Sequence, residues 1–138
     1  GPPAAPLAAT AAPGFSGTGR TVAEDGQTVL ELPGIGTIYV AGCRRFSEGG
    51  DVALFGALAL RNTSAATFFV GTDVVPPGGK GVVTQSSQWD SHEAPHYHPR
   101  SPEPVRIVAA SGAKQALVHV TTRLGPNGCR WWVMASVS

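Results

Sequence analysis

Charge is what this chain has least of. Only 14% of its 138 residues are Asp, Glu, Lys or Arg, against 42% hydrophobic, and soluble domains usually carry about 25% charged residues. The net charge is +1, and the ten basic residues are spread along the sequence, with Arg44-Arg45 the adjacent pair. No basic stripe forms in the sequence, so the reading is of no nucleic-acid partner. No run of 18 apolar residues is present either, which excludes a helical membrane span. Convincing helical periodicity is also missing. The N-terminus has no Met and no basic leader, so it does not read as an intact signal peptide.

Cysteine is scarce: Cys43 and Cys129 are the two present. Two cysteines this far apart match neither a zinc spacing nor a CxxC redox motif. Both fall at ends of predicted strands, where bridging is geometrically easy, and the expectation is a disulfide. Closing a loop of about 85 residues is worth ~4–5 kcal/mol in the chain-entropy model. An oxidised pair implies a secreted, extracellular or cell-surface protein. Two buried free thiols are the alternative.

Proline and glycine are plentiful, and they punctuate the chain. Residues 1–19 contain no charge and are dominated by Ala and Pro. Prolines at positions 2, 3, 6 and 13 forbid a regular helix and favour an extended path. We read 1–19 as an extended N-terminal arm and 20–138 as a single domain. The arm residues Pro2, Pro3, Pro6, Leu7, Pro13 and Phe15 are expected to pack on a neighbouring subunit by strand addition or exchange.

From position 20 onward, short apolar runs alternate with turn signals. Strands are predicted at 21–24 and 27–32, joined by Asp25-Gly26, and at 36–43. A polar loop is expected over 44–51. The segment 52–61 is apolar on both faces and reads as a central strand. Asn62-Thr63-Ser64 is a turn into 65–70, and a long turn is expected over 73–81. Strands at 81–86, 104–110, 114–123 and 129–137 complete the domain. This pattern is all-β: an antiparallel β-sandwich or jelly roll of about eight to nine strands. Low charge, two-faced apolar strands and the arm together point to a homo-oligomer, a subunit of a filament, coat or surface layer. An Ala/Gly/Thr-rich surface that is simply neutral would produce the same composition.

The polar residues concentrate in Trp89–Pro104, WDSHEAPHYHPRSPEP, which holds three of the four histidines. On an extended strand His96 and His98 project to the same side and could share a divalent metal. With Glu103 they spell H-x-H-x4-E, and here the sequence resembles the first metal motif of the cupins. That resemblance implies a jelly-roll metal protein or enzyme, with His119 as the later ligand. Prolines 95 and 99 also allow a different reading, a stiff loop that serves as a contact surface. Asp90-Ser91-His92 contains the residue types of a catalytic triad, but sequence neighbours do not converge as triad members do. No residue is therefore assigned as catalytic.

Trp89, Tyr97, Trp131 and Trp132 could instead form a sugar-stacking platform, making carbohydrate a candidate ligand. A regular strand must point one ring of Trp131-Trp132 inward. Asn62-Thr63-Ser64 also matches a glycosylation sequon at Asn62.

Overall fold

Alternation of more buried and less buried side chains runs through the last three described strands and marks which face of each turns inward. The structure is a computed structural model that describes residues 14–15, 25–48, 51–90, 95–98, 104–125 and 128–138. Among them there is no helix. The strands in chain order are β1 (Gly14–Phe15), β2 (Thr28–Leu32), β3 (Gly36–Glu48), β4 (Asp51–Asn62), β5 (Phe68–Val70) and β6 (Asp73–Val75). They continue as β7 (Lys80–Asp90), β8 (Pro95–His98), β9 (Val105–Ala109), β10 (Gln115–Gly125) and β11 (Gly128–Val137).

These strands form two antiparallel sheets, one ordered β1-β11-β10-β9-β5-β6 and the other β2-β3-β4-β7-β8. The sheets pack face to face as a β-sandwich. Each is built of sequential hairpins: β2-β3-β4 and β7-β8 in one, β9-β10-β11 and β5-β6 in the other. The described strands establish the two-sheet antiparallel β-sandwich, the coarser part of the sequence expectation.

β4 lies between β3 and β7, the central position its two-faced apolar sequence predicts. Leu54, Leu58 and Leu60 point into the core and are almost fully buried. Each such leucine contributes about 1.5–3 kcal/mol by leaving water. Ala53, Ala57 and Ala59 on the opposite face are buried too. Ala59 sits opposite Tyr39, whose ring carries the Arg61 guanidinium at 5.3 Å, so long neighbours cover the small side chains.

From the other sheet come Phe68, Ile107, Val118, Trp131 and Val133. Trp131 is wholly buried, and Gly56 on β4 makes the room it needs. A Cβ at Gly56 would lie 2.9 Å from Trp131 Cζ2 and 2.9 Å from Leu124 Cδ2. Trp131 Nε1 and Ser86 Oγ are buried without hydrogen-bond partners among the described residues.

Beside Gly56 in the ladder stands Cys43, and Cys129 is its counterpart on β11. Their sulfurs are at disulfide distance, with Cα atoms 6.0 Å apart. The pair therefore joins one sheet to the other across the core.

Asn62 closes the end of β4. Its Nδ2 donates to the carbonyls of Ala66 (2.7 Å) and Val75 (3.0 Å). Its Oδ1 accepts from the Ser64 amide (2.9 Å) and from Ser64 Oγ (2.7 Å). One buried side chain thus ties β4 to the crossover that leads into β5 and to the end of β6.

Several boundaries differ from the sequence reading. β3 runs on through Arg44-Arg45 to Glu48 where a polar loop was expected, and β6 forms inside the expected long turn. β7 is eleven residues long and reaches Asp90. The expected strand 21–24 lies outside the described residues.

Candidate functional site

The histidines that the sequence grouped do not form a described cluster. His96 and His98 lie on β8, an edge strand in which Trp89 opposes His96 and Ser87 opposes His98. Pro95 is the first residue of that strand, a position where the missing N–H is tolerated. The side chains of β8 and all of Glu103 lie outside the described residues, as do Ser91 and His92. His119 is elsewhere: it is exposed on β10, opposite Met134, on the outer face of the six-stranded sheet. No group of three or more potential metal ligands occurs among the described residues.

Asn62 is likewise a structural residue in the folded domain. Buried and with both Nδ2 hydrogens donated, it offers no free amide for a glycan. Its spacing to Ser64 makes an Asx turn, the local bond that asparagine favours at turns. Of the arm residues, Phe15 belongs to β1, and the others lie outside the described residues.

The outer face of the six-stranded sheet is the most distinctive surface. Its register places Val74, Phe69 and Val108 side by side across three strands. Leu117 lies between Arg106 and Ser136, His119 opposes Met134, Thr121 opposes Trp132, and Arg123 opposes Arg130. Val74 is 62% exposed, Met134 52% and Phe69 39%. Trp132 is half-buried, and the Arg130 guanidinium sits 5.9 Å from its ring.

Every charged side chain described on this face is basic. Arg106, Arg123 and Arg130 are there with His119, and no acidic residue is found on it among the described residues. Asp73 on β6 opposes the inward-facing Val70, so it belongs to the other side of the sheet. Sequence reasoning missed this surface because no two of 106, 123 and 130 are adjacent in the chain. Alternation within strands, once their register is known, is what brings them together.

A second feature lies where β6 approaches β7. A shallow groove of about 340 Å³ is lined by Val70, Thr72, Asp73, Val82, Gln85 and Val105 among others. β8 pairs with β7 only over Ser87–Asp90. Among the described strands, Lys80–Ser86 therefore has a partner on the β4 side alone.

No family model, curated protein or solved structure matches the chain.

Proposed function

We propose that this protein is an extracytoplasmic structural and interaction module that assembles with copies of itself through its N-terminal arm. The observation that carries this reading is the pairing of β1 with β11, with Gly14 opposite Val133 and Phe15 opposite Trp132. The arm reaches the edge of the six-stranded sheet and adds to it by backbone pairing. Nine residues separate Phe15 from Asp25. An edge that accepts this element from its own chain can accept the identical element from a neighbour, as in strand exchange. If each arm lies on the next copy in a head-to-tail contact that does not close, the product is a filament.

The cysteine pair supports the extracytoplasmic setting, because disulfides persist in oxidising compartments. Deleting residues 1–15 tests the assembly reading. The full chain is expected to run as a concentration-dependent oligomer in light scattering, and the truncated chain as a monomer. Identical masses for the two proteins would overturn the proposal.

A further inference from the structure

We infer that the outer face of the six-stranded sheet is a binding surface for an acidic polysaccharide. The surface borders the arm contact proposed above, where Phe15 opposes Trp132, and extends away from it across β10 and β9. It carries Arg106, Arg123 and Arg130 with His119, and no acidic side chain among the described residues. Arg123 and Arg130 stand directly opposite one another on neighbouring strands. Side by side, the two guanidinium groups present positive charge to one anionic ligand lying across the strands. The guanidinium fork suits carboxylate or sulfate groups, which it can hold through paired N–H donors.

The neighbouring groups narrow the class of anion. Trp132 is half-buried and stands in the next row to the arginine pair, opposite Thr121. An indole face beside hydrogen-bonding side chains is what a sugar ring packs against. From Gln115 to Arg123 the face runs ~27 Å along β10 at about 3.4 Å per residue, enough for several sugar units in an extended chain. A lipid surface fits less well. Exposed Gln115, Thr121 and Ser136 interrupt the apolar side chains, and insertion into a bilayer would desolvate them. Nucleic acid is disfavoured by the cysteine pair, which belongs to an oxidising compartment.

The test uses the full chain and polygalacturonate as probe, with neutral dextran, phosphatidylserine vesicles and duplex DNA in parallel. Light scattering on the same samples records the oligomeric state, so loss of assembly and loss of binding are read separately. Wild type is expected to bind polygalacturonate, more weakly as salt rises, and to ignore dextran. Arg106→Glu/Arg123→Glu should weaken binding by about tenfold or more, because two charge-assisted contacts are reversed. Arg44→Glu/Arg61→Glu makes the same charge change on the other sheet and should retain binding. A melting curve for each variant confirms that it is folded. Failure of wild type to bind polygalacturonate, or equal loss in both double variants, would overturn the inference. Preference for vesicles or DNA over the polysaccharide would overturn the assignment of partner.

Discussion

Replacing Asn62 by alanine would strip hydrogen bonds from the carbonyls of Ala66 and Val75 and from the amide of Ser64. Backbone groups left unsatisfied in a buried setting cost about 1–3 kcal/mol each. Water can reach part of this corner, so the expected loss for Asn62→Ala is about 3 kcal/mol, read from urea unfolding. The turn at Asn62-Thr63-Ser64 was legible in the sequence; the role of its first residue was not. A sequon and an Asx turn need the same residue types at the same spacing. Only burial separates them, and burial depends on β6, whose Val75 lies 13 positions further on. For Trp131-Trp132 the sequence said more. Alternation required one ring inside and one outside, and Trp131 is the inner one.

At the scale of the strand, legibility followed the degree of burial. β4, β9, β10 and β11 were readable because each presents a continuous inward row of apolar side chains to the core. The far half of β3 was not readable. Arg44 and Arg45 are exposed there, and a strand solvated in this way has the composition of a loop. β6 was hidden by its length, three residues between turn signals. β8 was hidden by Pro95, which edge position and strand start permit, and by Pro99 just past it in the sequence. The contrast between inner and outer faces can be measured directly. Leu58→Ala on β4 should cost about 2–5 kcal/mol, as large-to-small changes in packed cores do. Met134→Ser on the outer face of β11 should stay within about 0.5 kcal/mol of wild type in the same unfolding experiment.

For the molecule as a whole, the two sheets are held by the apolar layer between them and by one covalent link. Oxidation of Cys43 and Cys129, 86 positions apart, would remove ~4–5 kcal/mol of chain entropy from the unfolded state. Reduction, or Cys43→Ser/Cys129→Ser, is therefore expected to lower the urea midpoint markedly while leaving the circular dichroism of the folded state unchanged. A midpoint insensitive to reductant would mean that the two sulfurs are not bonded in the native protein. The cationic face belongs to this scale as well. None of its arginines is conspicuous in the sequence, and the face exists only once β9, β10 and β11 lie side by side.

The placement of the cysteine link has a mechanical consequence. It joins β3 to β11 near the chain's last strand, and β1 pairs with that same strand. A load applied through the arm and the C-terminus would pass along the covalent bridge, and the chain between Cys43 and Cys129 would be spared from stretching. Only the segments outside the bridge could lengthen under tension. In an assembly of the kind proposed above, tension from neighbouring copies would spare the core residues between the two cysteines, from Leu54 to Leu124.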